Sequence, residues 1–222
     1  MISAVIFDCD GVLVDSEILA HEVESQVLGS IGLHYEREDF IARFMGMSNK
    51  AFYEALEADG FARLGRSIRG EIQAPINAMM RKAVAERLTE VPGAGAAVAA
   101  VCCLKAVASS STNAALEHKL RKTGLWAFFA PHVYSAEHVT HAKPAPDLFL
   151  HAAAALAIPP SACLVIEDSV NGVIAGRAAG MEVWGLMAGG HMREPARARL
   201  TAAGAHRVVD SWADAAALLA AL

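Results

Sequence analysis

Cysteine is scarce in this chain of 222 residues, and its four copies form neither a CxxC pair nor a Cys/His ligand spacing. A structural zinc site is therefore not expected, and the chain reads as cytoplasmic and reduced. Cys9, Cys102, Cys103 and Cys163 lie within or beside apolar runs, where a thiol behaves as a small buried hydrophobe. Long apolar stretches are also missing, which argues against a membrane span, and nothing at the N-terminus reads as a signal peptide. Lysine and arginine are scattered over a formal charge of -5, so neither nucleic acid nor a membrane surface is an expected partner. Internal repeats are absent too.

Apolar residues are plentiful, at 55% of the chain, and alanine dominates many segments. That fits a helix-rich globule with one well-cored domain and an insertion, or two small domains. Short apolar runs predict strands at Ala4–Phe7, Ala106–Ser109, His132–Ser135, Cys163–Ile166 and Glu182–Gly185, with a weaker one at Arg207–Val209. Helical patterns follow most of them, among them Leu116, Leu120 and Leu125 after the second and Phe149 to Leu156 after the third. Alternation of this kind predicts an α/β fold, a doubly wound parallel sheet with a Rossmann-like core. Ligands bind such sheets beyond the carboxyl ends of the strands.

The interval between the first two strands is too long for a simple crossover. Helical periodicity over His21–Gly29, Asn49–Ala58 and Ile72–Leu88, punctuated by Gly46 and Gly60, predicts an inserted all-helical cap at 15–88. The catalytic core is then 1–14 and 89–222, with hinges near Asp15-Ser16 and Thr89–Gly93. The tail from Trp212 to Leu222 reads as a final packed helix.

Four pieces carry chemistry, each at a predicted strand end. In VIFDCDGVLVDSE, Asp8 and Asp10 point to the same side of an extended segment, and Gly11 lets the chain turn away. Ser109 ends the second strand, and Ser110, Ser111, Thr112 and Asn113 open a helix whose free N–H groups and hydroxyls suit an anion. Lys143 lies in AKPAPDLF, stiffened by two prolines. Glu167 and Asp168 end the fourth strand in VIEDS.

An ionised aspartate is a ready nucleophile, but a phosphate dianion repels it. At about 4 Å and an effective dielectric of about 20, each like-charge pair costs on the order of 4 kcal/mol. Lys143 offsets one charge, and a hard divalent ion on Asp8, Asp168 and a backbone carbonyl offsets two more. Mg²⁺ fits a few oxygen ligands and retained waters. Crowding beside Asp8 is expected to raise the Asp10 pKa, so that Asp10 protonates a leaving alcohol and then takes a proton from attacking water. Lys143 and Ser109 then hold the transferring phosphoryl oxygens.

The order and spacing of Asp8, Asp10 and Val12, then Ser109, then Lys143, then Glu167 with Asp168 resemble the haloacid dehalogenase superfamily, in the branch with a helical cap after the first motif. The resemblance spans essentially the whole chain. It implies Asp8 as nucleophile, Asp10 as acid/base and Asp168 as metal ligand. It further implies that Glu167 acts through a metal-bound water and that the Asn113 amide lies against phosphate. The phosphate set is then Ser109, Ser110, Asn113 and Lys143, and the metal set Asp8, Asp10, Asp168 and Glu167. Specificity falls to Glu17, Arg43, Gly46, Met47, Asn49 and Lys50, with cap closure shielding the reaction. The implied activity is Mg²⁺-dependent hydrolysis of a small phosphate ester, a sugar phosphate or phosphosugar acid, by a monomer or small homo-oligomer.

Plainer readings stand beside these. Asp-x-Asp after a strand is commonly a turn or helix cap, and Lys143 outside its KPxPD context is an ordinary solvated lysine. Ser110 and Ser111 either cap a helix or touch substrate, and Met45 and Met47 either line a cleft or fill gaps. The nine histidines show no ligand spacing and read as surface or satisfied residues. A β-phosphoglucomutase-type isomerase shares the core motifs, but its cap carries a basic residue, an arginine and a histidine where Met45, Asn49 and Ala20 stand; His21 is one place off. A dehalogenase is disfavoured by Asp10, and a phosphonate-cleaving relative by the lack of a recognisable context around Lys50 or Lys82. A non-enzymatic phospho-receiver would lack both the long insertion and the second aspartate of the first motif.

Overall fold

The computed structural model describes residues 1–44, 47 and 49–220. In chain order, β1 (Ala4–Phe7) leads to α1 (Ser16–Ser30), α2 (Arg37–Phe44), α3 (Asn49–Leu64) and α4 (Arg69–Arg87). Then follow α5 (Ala94–Ala100), β2 (Leu104–Ser109), α6 (Asn113–Lys122), α7 (Trp126–Phe129), β3 (Val133–Ser135) and α8 (Asp147–Ala155). The chain closes with β4 (Cys163–Glu167), α9 (Val170–Ala178), β5 (Glu182–Leu186), α10 (Glu194–Ala202), β6 (Arg207–Val209) and α11 (Trp212–Leu219). It divides into two compact units, Met1–Glu17 with Leu88–Leu222, and Ile18–Arg87.

In the first unit, the described strands form one six-stranded sheet in the order β3-β2-β1-β4-β5-β6. Every pairing is parallel. The strand set matches the apolar runs, with ends differing by a residue or two. The pattern is legible because a sheet covered on both faces needs continuous apolar strands rather than alternating ones. Ala4, Val5, Ile6 and Phe7 are all fully buried, as are Cys163 to Ile166. Ile6 lies opposite Ala106 on one side and Val165 on the other, putting β1 at the centre. The chain winds outward from β1 in both directions, so the crevice at its carboxyl end is the switch point of the fold. The architecture is a doubly wound, Rossmann-like α/β core.

Thr112 caps α6 by accepting the Ala115 N–H, and Ser169 caps α9 by accepting that of Gly172. The two passages out of the core are stitched together. Asp15 N–H donates to Thr89 O at 3.0 Å and Val91 N–H to Leu13 O at 2.9 Å. Cys9 and Cys163 are buried as expected, but Cys102 is exposed because it lies in the turn before β2 rather than within the strand.

The described elements of the second unit are all helices. Phe40, Phe44 and Phe52 pack together with ring centroids 5.1 to 6.3 Å apart, and Tyr35 edges onto Phe40 and Phe44. Helix α2 is not among the elements the sequence pattern predicts. Its short REDFIARF pattern has too few apolar positions to declare a period, and burial of Phe40 and Phe44 decides it. Gly60 does not interrupt a helix; it lies inside α3, where a Cβ would come 2.3 Å from Ile68 Cδ1. Its smallness serves close packing. Gly46 and Met45 lie outside the described residues.

Candidate active site

Asp8 follows β1 directly, its N–H donating to Ile166 O at 3.0 Å, so the two central strands fix its position. Lys143, from the loop before α8, lies against it. The Lys143 ammonium donates to Asp8 Oδ1 at 2.6 Å, Glu167 Oε1 at 2.7 Å and Ala108 O at 2.9 Å. Its three donors are thereby used. Burial pulls its pKa down, but Asp8 and then Glu167 outweigh that and hold it above the usual lysine value. Burial pushes Asp8 well above the usual carboxylate range; Lys143 opposes the rise, and Glu167, Asp168 and Asp10 add to it.

Glu167, only 1% exposed, has both oxygens committed. Oε1 takes Lys143, while Oε2 accepts the Asp168 N–H at 3.0 Å, the Ser169 N–H at 2.9 Å and the Ser169 hydroxyl at 2.9 Å. Gly172 makes room for this, since a Cβ there would meet Glu167 Oε1 at 1.8 Å.

Asp10 departs from expectation. Its Oδ1 accepts the Ser16 hydroxyl at 2.5 Å and the Lys119 ammonium. Its Oδ2 accepts the Ser111 hydroxyl at 2.8 Å and that of Ser109 at 3.4 Å. Burial pushes its pKa up, but Lys119 and these hydrogen bonds prevail and bring it below the ordinary aspartate value. The expected rise from crowding beside Asp8 is therefore corrected. A cation invisible in the motif lies closer and reverses the sign.

Asp168 is held from two sides. His191 Nε2 is 3.1 Å from its Oδ2, and Gly11 passes so near that a Cβ would come within 1.9 Å of that oxygen. Gly11 also adopts φ 78°, where only glycine rests without strain. Burial and then Glu167 raise the Asp168 pKa well above the usual range, with Lys143 opposing. Half-buried Glu17 adjoins this cluster. Burial raises its pKa to about 7, against the pull of His191 and with help from Asp10 and Asp168.

A carboxyl whose folded pKa exceeds its unfolded value stabilises the fold at low pH and loses that contribution as pH rises. For Glu17 the window runs from the ordinary 4.5 to about 7. Glu17→Gln removes the penalty. After discounting for partial solvent exposure, the metal-free variant should gain about 1–2 kcal/mol over wild type at pH 8. At pH 4 the two should match. Denaturant unfolding at both pH values measures this, and an equal difference at each would contradict the Glu17 assignment.

The donor set fits a hard divalent cation. One oxygen each from Asp8, Glu167 and Asp168 lie within 4.8 Å of one another, and all are carboxylate oxygens. With Glu167 saturated, Asp8 and Asp168 are the carboxylates with coordination left to offer. Ser109 is 1% exposed and donates its hydroxyl to Asp10, while Ser110 is exposed. Asn113 is exposed and its N–H donates to Glu137 Oε2 at 2.8 Å.

Within the helical unit, Arg43 is tied to Asp59, which also accepts the Tyr35 hydroxyl at 2.5 Å. Lys50 is 83% exposed and lies 4.0 Å from Glu54, and Met47 is 38% exposed. Asn49 opens α3; Gly46 lies outside the described residues.

Three further groups at the acids escape a reading of the sequence: Lys119, Ser16 and His191. Lys119 has a faint signal, falling one helical turn after Leu116 and beside Leu120 on the buried side of α6. His191 follows Gly189-Gly190 just past the end of β5, the position along a strand where site residues collect. It is 6% exposed, so of the two readings the sequence allows for it, surface or satisfied, the surface one fails.

A parallel α/β core that gathers acids and a buried lysine at the carboxyl end of its central strand is the architecture of an enzyme. The family model for haloacid dehalogenase-like hydrolases matches residues 2–180, and the chain belongs to that family. It is 28% identical over 200 residues to the 6-phosphogluconate phosphatase of Escherichia coli K12, covering 90% of this chain and 89% of that one. Hexitol phosphatase B of the same organism is 34% identical over 188 residues, with 81% of each chain covered. A haloacid dehalogenase family hydrolase from Deinococcus radiodurans, solved with bound phosphate and sodium, superposes with a TM-score of 0.85 at 34% identity. That match covers 99% of this chain and 96% of the other.

Proposed function

We propose that this chain is a Mg²⁺-dependent phosphomonoester hydrolase that acts on a small sugar phosphate or phosphosugar acid through a phosphoaspartate on Asp8. The observation that carries the reading is the buried Lys143 ammonium joining Asp8 to Glu167, with Asp168 alongside. Three acids around one lysine repel a phosphate dianion unless further positive charge is supplied, and the donor set is built for a hard dication. The sugar-phosphate class rests on the names of the relatives.

Asp8 and Asp168, with a backbone carbonyl, would hold Mg²⁺, which would supply charge neutralisation at the phosphate. The remaining steps belong to side chains. The Asp8 oxygen that Lys143 does not hold attacks phosphorus, and the bond from phosphorus to the sugar oxygen breaks. Lys143 and the Ser109 hydroxyl take the charge that spreads over the equatorial oxygens. Ser110 and Asn113, both exposed, are assigned the outer side of the same phosphate cradle.

Asp10 protonates the departing alcohol. It is ionised in the free enzyme, so it takes up a proton as the dianion arrives, a like charge within about 4 Å raising its pKa. Having lost that proton to the alcohol, Asp10 takes another from the water that attacks the phosphoaspartate. Phosphate and Asp8 are released. Glu167 serves as the anchor of Lys143 and, with both oxygens committed, would meet a cation only through water.

Hydrolysis is favoured over phosphosugar isomerisation. His21, the nearest cap histidine to the isomerase position, packs on Phe40 at 5.4 Å, and burial lowers its pKa. The test is phosphate release from phosphorylated sugars, sugar acids and nucleotides with Mg²⁺. Turnover on sugar esters supports the reading, and interconversion of phosphosugars without release would replace it. Stripping divalent ions with a chelator should lower turnover by about 100-fold or more, with recovery on adding Mg²⁺. Unchanged hydrolysis in the stripped enzyme would exclude the metal.

A further inference from the structure

Lys119 has no part in the reading above, yet it places a second, part-buried ammonium at the acids. It occupies the seventh position of α6, with its side chain 13% exposed, whereas His118, Arg121 and Lys122 on the same helix face solvent. A desolvated ammonium needs a counter-charge and acceptors. Lys119 finds Asp10 Oδ1 and, at 3.0 Å, Ser111 Oγ. Ser111 in turn donates its hydroxyl to Asp10 Oδ2 at 2.8 Å. The three groups close a triangle that grips both oxygens of one carboxylate, which stops rotation about its Cβ–Cγ bond. Ser16 on Oδ1 and the longer Ser109 contact on Oδ2 complete the hold. Arg121, by contrast, bonds Glu117 at 2.7 Å and stacks on Trp126, as an ordinary surface cation does.

We propose that Lys119 is a positioning residue for Asp10: together with Ser111 it fixes the orientation of the carboxylate that protonates the leaving alcohol. The inference rests on the phosphatase reading and names a group 109 residues from the motif it serves. Lys119 touches neither substrate nor metal in this scheme. It holds the acid in place so that proton transfer needs no reorientation when the ester bond breaks. The consequence is selective. An alkoxide leaves poorly without a proton, whereas p-nitrophenolate leaves without one, so misorientation of Asp10 penalises only the alkyl ester in the first chemical step.

The experiment compares wild type, Lys119→Met, Lys119→Arg and Ser111→Ala on glucose 6-phosphate and p-nitrophenyl phosphate. It reads kcat/KM, which reports steps up to phosphoryl transfer, and inhibition by inorganic phosphate. Lys119→Met should lose about 30-fold or more in kcat/KM on the sugar ester beyond any loss on the aryl ester. Phosphate inhibition should stay within about two-fold, and Lys119→Arg should recover part of the loss. Ser111→Ala should shift the ratio in the same direction by less, and it carries the test if Lys119→Met fails to fold. Equal losses on both esters would overturn the assignment, as would no loss. Weakened phosphate inhibition with an unchanged ester ratio would also overturn it, because Lys119 would then be a phosphate ligand. Failure of wild type to release phosphate from either ester would remove the phosphatase reading itself, which separates the two failures.

Discussion

Asp8→Asn is expected to reduce phosphate release to about one part in 10⁴ or less while leaving the protein folded. Asparagine keeps the shape of the side chain, and its carbonyl oxygen can still accept the Lys143 bond seen at 2.6 Å. What it loses is the anionic oxygen that attacks phosphorus, and no neighbouring group can replace it. Glu167 has both oxygens occupied, Asp10 is gripped from both sides, and Asp168 lies against His191. Loss of a covalent nucleophile is therefore close to loss of the whole chemical step. Stability should not suffer, because burial and three neighbouring acids already disfavour the Asp8 charge. Steady-state phosphate release and thermal unfolding measure the two effects. Retention of half the activity or more would end the nucleophile assignment.

Lys143→Met should be more damaging to the fold. Its ammonium is the shared donor for Asp8, Glu167 and the Ala108 carbonyl, at 2.6, 2.7 and 2.9 Å. Methionine fills comparable space and can keep the apolar contact over Phe149, where the ammonium lies 4.7 Å from the ring centroid. It leaves two buried carboxylates facing each other with no counter-charge, a change that costs about 3–5 kcal/mol at neutral pH. Protonation relieves it. With the ammonium gone, the folded-state pKa of Asp8 rises further from a value already well above 3.8. Such a group stabilises the fold at low pH and loses that contribution as pH rises. The variant should therefore lie closer to wild type at pH 5 than at pH 8 in denaturant unfolding. Equal stability of the two proteins at pH 8 would show that the acids are not balanced by this lysine.

Both outcomes depend on residues whose chemistry is partly legible in the amino-acid sequence. The strands are readable because a doubly covered parallel sheet demands unbroken apolar runs, and VIF, CLVI and EVWG supply them. Asp8, Ser109 and Asp168 are readable because the carboxyl ends of such strands converge on one crevice, and Lys143, in the loop before α8, only through its KPxPD context. Helix α2 is not, since eight residues with a handful of apolar positions carry little periodic signal. Gly60 misleads because a glycine inside a helix and one ending it look alike in sequence. Only the approach of Ile68 tells them apart.

Sequence alone determined the layered α/β plan, the order of the strands along the chain and the strand-end motifs at Asp8, Ser109 and Glu167-Asp168, whereas Lys143, expected at a strand end, lies eight residues past the end of β3. Those depend on local apolar patterning and on which residues directly follow a strand. Tertiary structure alone decided the charge state of Asp10, the seat of Lys119 and the burial of His191 against Asp168. The physical reason is range. A carboxylate's pKa is set by whatever cation lies within a few ångströms, and Lys119 reaches Asp10 across 109 residues of chain that no local pattern spans.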